Sequence, residues 1–397
     1  MYSNCFISSY TLTCSAGIGL AAIRNSVRNN LSGLSDKGWP DSDVETCLGM
    51  VDQGSLNRIA LTHKWLSRNN QLALLAMTQD NFLAAAREQV SRFGPQRVGV
   101  ILGTSTSSIG RTEEAYCHLS YTDEFTAEYM QPEINTPHST GAFIANYLGI
   151  TGPAITISTA CSSSAKAFAS GARWLEAGLV DSVIIGGVDT LCLSVIYGFN
   201  SLQLVSSEAC KPFDQFRTGI SLGEAGGFAI LNKDSKNAQA ALLGYGESTD
   251  AWHMSTPHPE GLGAKLSMQQ ALDRASCEAY DIDYVNLHGT GTRANDDIEG
   301  LACQTLFADA LADTYVSATK GLTGHTLGAA GITEAILAIE SIKTGVVPGT
   351  TNTTQPETVM REHLVLTSTE AAIGKAMSNS FGFGGNNCTL IFGDAGE

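Results

Sequence analysis

AITISTACSSSAKAFASGARWLEA, residues 154–177, opens on a short apolar run and passes within a few residues into an alanine-rich helical pattern. The first four residues read as a buried strand and Ser164 to Ala177 as a helix, which leaves Cys161 at the junction. Similar runs rich in Val and Ile recur as RVGVIL at 97–102, SVIIG at 182–186 and YVNL at 284–287. Runs of this length suit strands buried on both faces. Helical patterns lie between them. Asn69 to Ala86 reads as one helix, with apolar Leu72, Leu75, Ala76, Phe82 and Leu83, and Ile332 to Ile342 is almost uniformly apolar and expected to be buried all round. Strands alternating with helices predict an α/β architecture.

The chain has 397 residues, enough for two or three domains at roughly 150 residues each. Apolar residues make up 43% and charged ones 16%, well under the roughly 25% of an average soluble protein. Such a chain hides a deep core and is expected to cover further surface in a subunit interface. A net charge of −16 argues against a general nucleic-acid binder, and the apolar content excludes disorder. The ten cysteines show no CxxC spacing, so neither a zinc site nor a disulfide framework is expected. Most read as buried thiols of a reducing compartment. Cys5 to Ile23 carries no charge but lacks a basic leader, and reads as a buried strand and turn, not a signal or span. A cytoplasmic location is expected. The most polar break, Asn232 to Ala238, places a boundary between residues 1–235 and 236–397. No sequence repeat is evident.

Four constellations carry chemistry. A thiol at Cys161 faces the positive end of a helix and its unpaired amides, which favour the nucleophilic thiolate and stabilise an oxyanion; the alternative is one more buried thiol. His288, in NLHGTGT (286–292), follows a strand directly, where α/β folds gather functional side chains, or is a structural His bonded to a carbonyl. Asp296, Asp297 and Glu299 follow; a helical carboxylate cluster is expected to be solvated, with one member able to orient a cation. TKGLTGHTLGAAG (319–331) sets Lys320 and His325 five residues apart in a glycine-rich turn. It lacks the Walker A spacing, so no nucleoside triphosphate is expected there. NSFGFGGNN (379–387) reads as a mobile loop with aromatic gates, or as a turn with core Phe.

These motifs resemble those of the elongating β-ketoacyl-[acyl carrier protein] synthases: TACSS at 159–163, HGTGT at 288–292, the Lys320–Gly331 segment and the NSFGFGGNN loop, in that order. The resemblance runs from about Val98 to Phe392. It implies a thiolase-like fold of two similar α/β halves in five αβαβα layers, the nucleophilic Cys in the first and the two His and Lys in the second. It implies a homodimer, or a heterodimer with a ketosynthase-like chain-length partner. Cys161 would take an acyl chain from a carrier-protein thioester. Neutral His288 and His325 would stabilise the enolate formed as malonyl-carrier protein loses CO2, and a 3-oxoacyl product two carbons longer would leave. The backbone amides of Cys161 and Phe383 match the oxyanion hole, and Phe383 matches the gate behind the acyl chain. Lys320 is expected to pair with Glu299. Thr106, Phe381, Thr290 and Thr292 are implied as substrate contacts, Thr106 gating the pocket.

No metal or cofactor is expected. Because a carrier protein is acidic, Lys64 and Arg68, one helical turn apart, are expected to dock it, or to be ordinary surface charges. A thiolase using CoA thioesters would need a second catalytic Cys, but the corresponding loop reads GFGGNN (382–387) and Cys388 lies in a strand-like run. A non-catalytic chain-length subunit would lack Cys161. Met1 to Asn57 resembles synthases of aryl-polyene and related secondary-metabolite pathways more than housekeeping fatty-acid enzymes.

Overall fold

The computed structural model describes residues 5–357 and 359–396, so only Met1–Asn4 of the divergent N-terminal stretch lie outside it in that region. The long strands are β1 (Cys5–Cys14), β2 (Val98–Gly103), β3 (Ala154–Ile157), β4 (Ser182–Asp189) and β5 (Ala225–Asn232). They continue as β6 (Ala240–Thr249), β7 (Tyr284–Leu287), β8 (Tyr315–Ala318), β9 (Lys375–Gly382) and β10 (Asn386–Gly393). Their spatial order is β3-β2-β4-β5-β1-β6-β10-β9-β7-β8. Read from either edge inward, both halves follow the same permutation: third strand, second, fourth, fifth, first.

Strand directions repeat as well. β2 is parallel to β3 and β4, and β7 to β8 and β9. The inner pairs, β4–β5–β1 and β9–β10–β6, are antiparallel. The halves join where Cys5–Ile7 pairs with Ala240–Leu242. The duplication is invisible in sequence because topology needs only matching burial at matching positions.

Between the half-sheets lie two helices in contact with each other, Ser163–Glu176 and Ala330–Thr344. Outer helices, among them Arg68–Met77 and Leu262–Ala275, cover the far faces, giving five layers. The second central helix is buried without a break from Ala330 to Ser341, as its mostly apolar pattern predicts, and the run takes Glu334 and Glu340 in with it. Close approach requires glycine here. A Cβ on Gly331 would stand 2.4 Å from Ala165 N, and one on Gly187 2.6 Å from Ser164 Cβ. Ser164 Oγ donates to Gly328 O (2.6 Å) and accepts from Ile332 N (2.9 Å), stitching the two helices together.

Two expectations change. The Asn69–Ala86 pattern is two helices, Arg68–Met77 and Phe82–Phe93, separated by Asp80 and Asn81 at φ 51° and 59°. Asp80 turns this corner by accepting from Leu20 N and Thr11 Oγ1. β2, β4 and β7 are wholly buried, but β3 is not: it is a sheet edge, with Ala154 and Ile155 exposed. The uncharged N-terminal stretch is β1, a turn, and the start of a helix at Leu20. Cys5, Cys14, Cys192, Cys210, Cys303 and Cys388 are buried thiols, whereas Cys117 is exposed. Among the described residues no helix is long and apolar enough to cross a membrane.

The glycine contact gives a stability prediction. Gly331→Ala should lower the free energy of unfolding in urea by about 1–3 kcal/mol through overpacking. Gly198→Ala, in an exposed helix with open space around it, should be neutral or raise it by up to about 1 kcal/mol. An unchanged Gly331→Ala midpoint would contradict the close contact.

Candidate active site

β3 hands the chain to the first central helix through a tight turn. Ala160, a non-glycine residue, is held at φ 53°, a strained conformation of the kind found where a side chain must be presented. Hydroxyls lock it: Ser162 Oγ donates to Thr159 O (2.9 Å), and Ser163 Oγ donates to Ala160 O (2.5 Å). Cys161 is thereby set directly before the helix N-cap Ser162, 5% exposed.

His288 leaves the end of β7 and His325 sits in the glycine-rich turn after β8, so the second half brings both to the first half's thiol. His325 Nε2 lies 3.0 Å from Cys161 Sγ, and the two imidazoles stand perpendicular with centroids 5.4 Å apart. Their tautomers follow from their other nitrogens. Leu327 N donates to His325 Nδ1 at 3.1 Å. Lys320 Nζ reaches His288 Nδ1 at 3.1 Å. A nitrogen that accepts carries no proton, so each neutral ring bears its hydrogen on Nε2, facing the cavity. Lys320 also donates to His288 O and to Glu334 Oε1. Three acceptors match the three hydrogens of an ammonium group.

Lys320 thus pairs with Glu334, not with Glu299. Glu299 holds the turn instead, accepting from His288 N (2.7 Å), Gly289 N (2.8 Å) and the amides of Asn295 and Asn379. The carboxylate cluster is largely not solvated. Asp296 and Glu299 are buried, Asp296 accepting from Phe213 N and facing Arg217, while Asp297 is half-exposed and pairs with Arg217. The signal for Glu334 was an acid in the first two turns of a mostly apolar helix, which carries a second acid at Glu340.

The NSFGFGGNN segment ends β9, makes the Phe383–Gly385 connection with Gly384 and Gly385 at φ 73° and 70°, and starts β10. Phe383 stacks on Phe199 at 5.7 Å, and Phe199 in turn approaches His325. Phe199 carried no sequence signal, since it sits in an ordinary apolar helix. The connection is tied to a neighbouring segment through Gly384 N to Met254 O (2.8 Å) and Asp250 N to Gly385 O (2.9 Å). A narrow cavity of about 60 Å³ runs over Cys161, His288 and His325, lined also by Thr290, Thr292 and Phe381.

The comparisons with known proteins agree with this geometry. A family model described as beta-ketoacyl synthase, N-terminal domain, matches residues 63–237, and the C-terminal domain of the same family matches 239–354. The chain belongs to the beta-ketoacyl synthase family. Similarity therefore begins well before Val98. A mitochondrial 3-oxoacyl-[acyl-carrier-protein] synthase of Arabidopsis thaliana is 35% identical over 319 residues, covering 75% of this chain and 68% of that protein. A 3-oxoacyl-[acyl-carrier-protein] synthase 2 of Staphylococcus aureus is 31% identical, covering 82% of both. A chain in the solved complex of a ketosynthase with its chain length factor from Xenorhabdus doucetiae superposes with TM-score 0.90 at 37% identity, over 99% of this chain and 98% of that one.

Charge in the synthase's site is set by burial. Desolvation holds both imidazoles well below the usual histidine value, and the Lys320 ammonium adds to it. Burial pushes the Cys161 thiol up to about 11, against the lowering by Lys320 and by the N–H groups of Phe383 and Cys161. The helix end and amides that favour the thiolate are present, but desolvation outweighs them. Glu299 is lifted to about 7, chiefly by burial.

Cys161, His288 and His325 offer ligand atoms within 4.8 Å of one another, the right residue types for a soft divalent ion. The tautomers oppose this, because both Nε2 atoms carry hydrogens and both Nδ1 atoms face donors. Thr106 is not among the residues lining the cavity; its hydroxyl turns to Asp189. The Lys64 and Arg68 pair also changes. They lie on separate elements, Lys64 in a short 3-10 turn paired with Glu133 (3.1 Å) and Arg68 at a helix start. Arg68 binds buried Glu224 through two 2.6 Å bonds, so it is structural.

Because the thiolate fraction rises with pH up to the thiol pKa, Cys161 alkylation by iodoacetamide should accelerate about tenfold per pH unit from 7 to 10. A plateau below pH 8 would contradict a thiol raised by burial.

Proposed function

We propose that this synthase joins an acyl chain held on Cys161 to a malonyl unit delivered on acyl carrier protein, releasing CO2. The observation that carries this reading is the pair of Nε2–H donors converging beside one thiol. In the first step Cys161 sulfur attacks the acyl thioester carbonyl. The oxygen draws on the N–H groups of Cys161 and Phe383, the carrier's C–S bond breaks, and the thiol proton ends on the released carrier thiol. In the second, the malonyl carboxylate leaves as CO2, and the electron pair flows into an enolate whose oxygen accepts from His288 and His325. The enolate carbon then attacks the acyl carbon, the bond to Cys161 breaks, and a 3-oxoacyl chain two carbons longer departs on the carrier. The sulfur regains its proton from solvent. In this reading Thr290, Thr292 and Phe381, which line the cavity, contact the substrate, and Phe383 closes behind the chain.

We assign the nucleophile half to residues 1–235 and the His/Lys half to 236–397, and place the enzyme in the cytoplasm, in keeping with its buried thiols. A second ketosynthase-like chain fits as partner. The exposed edge strand β3 presents unpaired backbone beside exposed Ile155 and Tyr147, a feature that proteins usually cover. The similarity to a chain solved with a chain length factor spans nearly all of this one. Lys64 remains a candidate for carrier contact.

Intact-mass analysis after mixing with fatty-acyl and aryl-polyenoyl carrier thioesters, alone and with a co-expressed ketosynthase-like partner, tests the reading. One acyl adduct on Cys161 is expected, none in Cys161→Ala. His325→Ala should keep the adduct yet lose CO2 release by more than a hundredfold. Decarboxylation surviving in His325→Ala, or an adduct surviving in Cys161→Ala, would contradict the assigned roles.

A further inference from the structure

Asp189, at the carboxyl end of β4, is fully buried, and its partners are all neutral donors. Oδ1 accepts from Thr104 Oγ1 (2.5 Å), Thr106 N and Thr106 Oγ1 (both 3.2 Å). Oδ2 accepts from Ser105 N (2.8 Å) and Gly328 N (2.7 Å). Burying a carboxylate with no cation is costly unless donors saturate it. Here they come from two places, the 104–106 turn after β2 and the turn that carries His325.

Gly328 is where these meet. A Cβ on it would stand 2.5 Å from Ser105 N and 2.8 Å from Asp189 Oδ2, so the two turns are in backbone contact. Its carbonyl accepts from Ser164 on the nucleophile helix. One residue earlier, Leu327, at φ 56°, donates its N–H to His325 Nδ1. Fixing Gly328 N on Asp189 therefore fixes the peptide plane next to the donor that sets the His325 tautomer. The two histidines are served alike: Lys320, held by buried Glu334, orients His288, and Leu327, held through Gly328 by buried Asp189, orients His325.

We propose that Asp189 is a positioning residue for His325, keeping its Nε2–H aimed into the cavity for the decarboxylation step. This rests on the reading of His325 as a donor to the enolate. Asparagine at 189 would keep the shape but turn an NH2 group towards N–H donors, loosening the Leu327–Gly328 turn. Acylation of Cys161, which needs no proton from His325, should persist.

The test measures Cys161 acylation and malonyl-carrier decarboxylation separately in wild type, Asp189→Asn, Thr104→Val and His325→Ala, with thermal unfolding of each. Asp189→Asn is expected to acylate within twofold of wild type, to lose at least tenfold in decarboxylation kcat, and to leave the KM for malonyl carrier unchanged. Thr104→Val, a gentler change that removes one donor, should lose a few-fold in the same kcat only, and decides the matter if Asp189→Asn does not fold. Wild-type kcat in these variants beside an inactive His325→Ala would overturn the proposal. So would parallel losses of acylation and decarboxylation, which mark a merely structural role. Full activity in His325→Ala would instead remove the reading on which the proposal stands.

Discussion

Lys320 is 1% exposed, and its ammonium hydrogens are taken by Glu334, the His288 carbonyl and His288 Nδ1. Burying such a charge costs several kcal/mol unless every donor is met, and here each one is. The return for that arrangement is chemical. The same ammonium sets the tautomer of one imidazole, adds to the desolvation that keeps both neutral, and draws the thiol pKa down from where burial alone would leave it. Taking away its charge would strand Glu334 and free His288 to turn its lone pair towards the cavity.

The duplicated architecture explains how such a site is built. Each half ends its parallel strands on the same side, and the central helices, pressed together through Gly331 and Ser164, fix one half against the other. The first half contributes the thiol, and the second contributes the hydrogen-bond donors. Distances such as the 3.0 Å between Cys161 and His325 are therefore set by dry packing, which tolerates little displacement, while Phe383, on the glycine-bearing β9–β10 connection, stacks on Phe199.

Much of this was legible in the sequence. Cys161, His288, Lys320 and His325 each stand at a strand end or in a glycine-rich turn, and the motifs' order identified the fold. What could not be read is what depends on contacts distant along the chain. Glu299 and Glu334 both lie on helices that follow the motifs, and only the folded turn shows which one meets Lys320. The apolar spacing of Asn69–Ala86 continues through Asp80 and Asn81, although the chain turns a corner there to satisfy Leu20 and Thr11. Arg68 looks like a surface charge until Glu224, far away in sequence, is found beneath it. The protonation of Cys161 depends on burial, which a helix-start motif does not report.

The central claim is that both imidazoles are neutral and carry their proton on Nε2. Nitrogen-15 NMR of histidine-labelled enzyme between pH 6 and 9 reads this directly, with His288→Ala and His325→Ala giving the assignments. The account predicts, for both rings and across the whole range, an unprotonated Nδ1 and a protonated Nε2. An imidazolium signal at pH 7, or a ring protonated on Nδ1, would contradict it.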